Sequence, residues 1–310
     1  MNGAWGWIGF NVAVLAILGL DLGVLHRRSS KVSVKEAATW SAVWVALSLC
    51  FAFAIYRTLG RQSGLEFVTG YLIEYALSVD NIFVFVLIFS YFSVPEKYQH
   101  RVLFWGIVGA LILRGVMILV GSALVTRFEW VLYIFGAFLV FTGLRMAFQK
   151  AEETYNPERD PVLRLTRRVL PVTNDYRGDS FFVREPDATG RLRYAATPLF
   201  IVLLIVDTTD IIFATDSIPA IFAVTRDPFI VYTSNICAVL GLRALYFLLA
   251  GVVDKFVYLK LGLSIVLVFI GAKMLADPFI HLPIVASLGV VGAVLAASIL
   301  ASLRSQRVGH

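Results

Sequence analysis

The stretch EYALSVDNIF (74–83) places Glu74, Asp80 and Asn81 inside a run that is otherwise apolar. A second stretch, DIIFATDSIPA (210–220), does the same with Asp210 and Asp216, again six residues apart. The runs around both are long enough for a bilayer-spanning helix, which takes roughly 20 mostly apolar residues at 1.5 Å rise each. Similar runs recur near 5–25, 38–58, 67–92, 102–125, 130–148, 197–225, 231–252, 256–276 and 282–303. The chain is therefore expected to be all-α, a polytopic membrane helix bundle of about nine transmembrane helices. Nine could be eight if one short segment is re-entrant. Composition agrees: 59% of the 310 residues are hydrophobic and 15% charged, with mean hydropathy +0.80, against about 25% charged in a soluble domain.

Lysine and arginine set the orientation. With nine spans, 20 of the 27 basic residues fall on one side, and only five on the other. Arg114 and Arg243 lie within spans. The rich side is expected to be cytoplasmic, with the N-terminus outside and the C-terminus inside. Topology thus accounts for the +6 net charge, and nucleic acid is not an expected partner. The first apolar run lacks a basic start, so it is not expected to be a cleaved signal peptide. Cys50 and Cys237 fall in separate apolar spans with no CxxC pair, which points to buried small hydrophobes rather than a disulfide or soft-metal site.

The two acidic stretches belong to a longer match. LRGVMILVGSALVTRF (113–128) reads beside LRALYFLLAGVVDKF (242–256), and FTGLRMA (141–147) beside FIGAKMLA (269–276). Residues 67–148 and 197–276 are thus expected to be two copies of a three-helix repeat within one transmembrane domain spanning 1–310. An offset of three spans threads the copies in opposite senses, as in inverted-repeat transporters, whose ion sites lie near the midplane. Spans one, two and nine would buttress this core. The polar segment 150–195 is a cytoplasmic connector; PVLRLTRRVLPV (161–172) reads as a basic amphipathic helix and FFVREPDATGRLRYA (181–195) as a hairpin. A gate, a regulatory element and a passive connector are all open to it.

A carboxylate in mid-span costs about 2.5–3.5 kcal/mol on insertion scales. Glu74, Asp80, Asp207, Asp210 and Asp216 would together cost on the order of 15 kcal/mol if each stood alone. They are expected to face one another, a cation or water. Glu74, Ser78 and Asn81 share one helix face, as do Asp210, Ala214 and Ser217. Asp80 and Asp216 lie off those faces, and local unwinding would bring them into the same pocket. Pro219 supplies a cause, since it cannot donate to the carbonyl of Thr215, which becomes a further oxygen ligand. The ligands are then all oxygen, which suits Mg²⁺, Ca²⁺ or Mn²⁺ over softer metals. With Arg114 and Arg243 each offsetting one carboxylate, a divalent ion and a proton would neutralise the rest, so proton-coupled exchange is chemically natural. Packing through Arg–acid pairs is the simpler reading for the two arginines themselves. Interfacial, hydrogen-bonding and path-lining roles are all open to Asn11, Asp21, Glu66 and Asn235.

At GYLIEYALSVDNIFVF (70–85) and VDTTDIIFATDSIPAIF (206–222), continuing through residue 251, the chain resembles the TerC/Alx family of bacterial integral membrane proteins. LYIFGAFLVFTG (132–143) and FFVRE (181–185) fit too. The resemblance implies manganese export across the inner membrane, with an older association with tellurium resistance. It assigns metal contact to Glu74, Asp80 and Asn81 in one repeat and to Asp210, Asp216 and Ser217 in the other; Asp207 stands where glutamate is expected. A tellurite pump fits poorly, since an acidic pocket repels an oxyanion. An intramembrane aspartyl protease is disfavoured because its GxGD motif is absent, and no enzyme activity or prosthetic group is expected. The rival is a membrane-assembly or secretion-associated factor that supplies metal to other proteins. Besides a divalent metal ion and the lipid bilayer, other membrane proteins or further copies of the chain remain open as partners.

Overall fold

The computed structural model describes residues 3–25, 33–148, 164, 166, 168, 170–186, 192–250, 258–280 and 282–308. Five helices come first: α1 (Ala4–Leu25), α2 (Val34–Leu59), α3 (Arg61–Tyr91), α4 (Glu96–Arg127) and α5 (Trp130–Phe148). A two-stranded hairpin follows, β1 (Phe182–Pro186) and β2 (Leu192–Ala196). Then come α6 (Pro198–Phe222), α7 (Pro228–Leu240), α8 (Leu242–Leu249), α9 (Leu259–Ala276) and α10 (Ile284–Val308). Helices α7 and α8 meet at Gly241 and together make one span, Pro228–Leu249. Among the described residues eight spans are long and apolar enough to cross a membrane, and α1 adds the shorter apolar stretch Ala4–Gly19. The expected membrane helix bundle is the observed architecture.

Local chemistry sets the breaks. Gly60 takes φ +98°, open to glycine alone, and turns α2 into α3. Ser33 caps α2 by accepting from the Glu36 amide at 3.2 Å. Asp227 caps α7 through the Phe229 amide at 2.9 Å, with Pro228 in the first turn. Such caps satisfy amides that have no helical partner.

Helices α3, α4, α6 and α7 form the centre. Helix α3 packs on α7 and α4 on α6, while α5 lies along α9. In lipid, close helix pairs need small residues at the seam. A Cβ on Gly271 would stand 2.6 Å from the Gly136 carbonyl, and one on Gly143 would stand 2.8 Å from the Ser264 carbonyl. Helix α2 covers α3, and α10 covers α9 and α3. Phe10, Val14 and Leu18 of α1 join a core with Ala52, Ile55 and Phe229.

The hairpin expected over 181–195 is present, pairing Phe182 with Ala196 and Pro186 with Leu192 in antiparallel register; its Asp-Ala-Thr-Gly turn lies outside the described residues. The basic stretch 161–172 is mostly outside them as well, although Arg164, Thr166 and Arg168 are helical. The rest of the connector is fastened to helix ends. Tyr176 donates to the Phe92 carbonyl at 2.7 Å, Arg101 pairs with Asp179, and Thr197 donates to the Ser180 carbonyl at 2.7 Å. Burial pushes the Tyr176 hydroxyl up to about 12, so it stays a donor across the physiological range. Tyr176→Phe is expected to weaken the docking by about 1 kcal/mol, read as faster proteolytic cutting within 170–180 while the helical spans stay resistant.

Candidate functional site

Four helices deliver one buried cluster. Arg114 of α4 is fully buried. Its Nε and Nη2 donate to Asp210 Oδ2 and Oδ1 of α6 at 2.8 and 2.7 Å, the two-toothed fork that makes Arg–carboxylate pairs strong. Its Nη1 donates to Glu74 Oε1 of α3 and, at 3.3 Å, to Asn235 Oδ1 of α7. The Asn235 amide then donates to Glu74 Oε2 at 2.8 Å. Glu74, Asp210 and Asn235 are 1%, 4% and 0% exposed. Two carboxylates against one guanidinium leave the cluster one net negative charge. Charges this deep persist only when paired and hydrogen-bonded, and these are.

Glu74 and Asp210 hold equivalent positions in the two repeats read from the sequence, so the two acidic stretches do meet. They meet through Arg114, and in a manner that corrects one expectation. Arg243 lines a cleft with Trp40, Trp44, His100 and Phe247. The helices do not unwind. Helix α6 is continuous from Pro198 to Phe222 and α3 from Arg61 to Tyr91. Pro219 sits in the last turn of α6, where its missing donor removes a single helical bond. The Thr215 hydroxyl folds back onto the Ile212 carbonyl at 2.5 Å, and the residue is exposed.

Along the two acid-bearing helices are buried oxygens without hydrogen-bond partners: Ser78 Oγ and Asn81 Oδ1 on α3, and Asp207 Oδ1 and Ser217 Oγ on α6. An unsatisfied buried polar group costs about 1–3 kcal/mol, so four along these two helices are a feature to be explained. The Asp207 carboxylate lies against α4, where a Cβ on Gly109 would stand 2.8 Å from its Oδ2. Asp216 is partly buried beside Ser217, and Asp80 lies on α3 between Ser78 and Asn81 in the chain. Among the described residues, no three histidine, cysteine, aspartate or glutamate side chains stand together as a metal-holding group. The ligand set expected from the sequence is thus spread along α3 and α6, with Glu74 and Asp210 taken up by Arg114.

Sequence reasoning left Asn235 open, and the structure makes it the second partner of Glu74. An amide in an otherwise apolar span was the only signal. Glu66 sits at the end of the seam away from the connector, accepting from Thr225 Oγ1 at 2.6 Å and from Gln62 Nε2 at 3.0 Å. It borders an open cavity of about 450 Å³ that also carries Glu129, Arg226, Lys273 and Asp277.

The family model described as integral membrane protein TerC family matches residues 59–310, including all of this cluster. The chain belongs to the TerC family. The relatives it matches include an uncharacterized membrane protein, STKORF319, of Myxococcus xanthus, 54% identical over 97% of this chain and 92% of that one. A protein of Escherichia coli K12 named "Putative membrane-bound redox modulator Alx" is 51% identical over 93% of this chain and 91% of that one. An uncharacterized membrane protein of Rickettsia bellii is 43% identical over 96% of each. No solved structure matches this TerC-family chain.

Proposed function

We propose that this TerC-family protein carries a hard divalent cation, Mn²⁺ foremost, outward across the bacterial inner membrane in exchange for protons, and that it is a carrier rather than an enzyme. The observation that supports this most is the pair of equivalent acids, Glu74 and Asp210, brought to one level by Arg114 with unpartnered buried oxygens on either side. Those oxygens are carboxylate, amide and hydroxyl, the donors of hard cations. The contact pattern supports the repeat: exchanging the halves maps α3–α7 onto α4–α6 and returns α3–α6 and α5–α9 to themselves. Two-fold related halves around a central charged cluster are the frame of inverted-repeat carriers. The net negative charge of the cluster opposes oxyanions, which speaks against tellurite as cargo. The redox role in the name of the Escherichia coli relative finds no thiol pair here, since Cys50 and Cys237 are both free.

Inside-out membrane vesicles test the reading. Wild-type vesicles are expected to accumulate Mn²⁺ when their interior is acid, and Asp80→Asn or Asp216→Asn to lower the initial rate at least tenfold. Uptake indifferent to the pH gradient would remove the proton from the scheme. Uptake unchanged in both variants would remove the carrier.

A further inference from the structure

We propose that the ion path contains two half-sites, one on each side of the Glu74–Arg114–Asp210 cluster, rather than a single cage at its level. The inference deepens the cation-carrier reading and rests on it.

Helices α3 and α6 run antiparallel. Glu66, in the second turn of α3, accepts from Thr225 just past the end of α6. At the other end Phe85, Ile88 and Phe89 of α3 share a core with Leu199, Ile201 and Val202 from the start of α6. Arg114 holds Glu74 and Asp210 at a common level. Both helices are regular through their motifs, so distance along the axis follows from the 1.5 Å rise. Asn81 is seven residues beyond Glu74, about 10 Å towards the connector end. Ser217 is seven residues beyond Asp210, about 10 Å the opposite way. These equivalent positions are therefore roughly 20 Å apart along the helices. Cation–oxygen bonds in such sites are about 2.0–2.6 Å. One ion cannot touch both.

Each side nevertheless carries what a hard cation binds. Towards the connector, Ser78 Oγ and Asn81 Oδ1 are buried and unpartnered, 1% and 2% exposed, and Asp207 Oδ1 is displaced the same way along α6. Away from the connector, Ser217 Oγ is buried and unpartnered at 1% exposure, next in the chain to Asp216. Between them the Arg114 guanidinium is a fixed positive charge. It engages both Glu74 and Asp210, so these carboxylates are taken up at the midpoint and the path is divided into two basins, one nearer each face. A carrier that exposes its faces in turn would load one basin and empty the other.

The count of bound ions tests this. The full chain, purified in detergent, is titrated with MnCl₂ while the electron paramagnetic resonance signal of free Mn²⁺ reports what is unbound. Two Mn²⁺ per chain are expected. The double variant Ser78→Ala/Asn81→Ala should retain one, Asp216→Asn/Ser217→Ala should retain one, and the four changes together should retain none. Asp80→Asn, at the Asn81 level of α3, serves if the first double variant loses its monodisperse elution. A single ion in the wild type, lost in either double variant, would overturn the two half-sites while leaving the carrier reading in place. Absence of any Mn²⁺ binding would overturn both.

Discussion

Arg114→Met is expected to destabilise the protein by about 3–5 kcal/mol, the usual result of removing one partner from a buried charge pair. The guanidinium is fully buried and supplies hydrogen bonds to Glu74, Asp210 and Asn235. Without it, two carboxylates face each other in a water-poor interior with only the Asn235 amide to share. The diagnostic result is rescue. Adding Glu74→Gln and Asp210→Asn to Arg114→Met removes the stranded charges, so the triple variant should recover most of the loss, because a neutral replacement of a buried ionic group is often tolerated. Arg114→Lys should fall between, keeping the charge but losing the fork on Asp210. Thermal unfolding in detergent, followed by aggregation or intrinsic fluorescence, ranks all four proteins. Stability unchanged in Arg114→Met would show that the cluster is not what holds the four helices together.

Gly271→Val is the second large effect. Its Cβ would stand 2.6 Å from the Gly136 carbonyl and 2.8 Å from the Val140 amide nitrogen, both backbone atoms that cannot rotate aside. Helices α5 and α9 would have to separate. Overpacking of this kind costs about 1–3 kcal/mol or more, and the bulk beyond Cβ places this site at the upper end. The control is Gly289→Ala on α10, where an added Cβ meets nothing within 4 Å; it is expected to be neutral. Equal thermal midpoints for Gly271→Val and Gly289→Ala would contradict the tight α5–α9 seam.

Most of the architecture could be read from the chain because lipid imposes one solution on a long apolar run: satisfy every backbone group within a helix. The nine expected runs recur as helices or, at Gly241, as a joined pair. The hairpin was legible for a different reason, the alternation of FFVRE and RLRYA around a turn sequence. The site was legible in its residue types and not in its grouping. Which acid an arginine reaches depends on helix rotation and on the length of a flexible side chain, and neither leaves a mark in spacing. That is why the meeting of Glu74 and Asp210 on Arg114 could not be read from the chain. Pro219 misled for a related reason: a proline near a helix end has few bonds left to break.

The connector has a mechanical consequence. At its end of the bundle, Tyr176 and Asp179 fasten the segment leading into α6 onto Phe92 and Arg101 of the preceding helices. At the far end the same sets of helices are joined by the Thr225–Glu66 hydrogen bond, the wider Arg226–Glu129 pair at 3.5 Å and the attraction between Lys273 and Glu66 across the open cavity. The molecule is strapped like a purse on one rim. Prising the two sets of helices apart meets less resistance at the unstrapped rim, and that asymmetry belongs to the joining segment, not to the helices it joins.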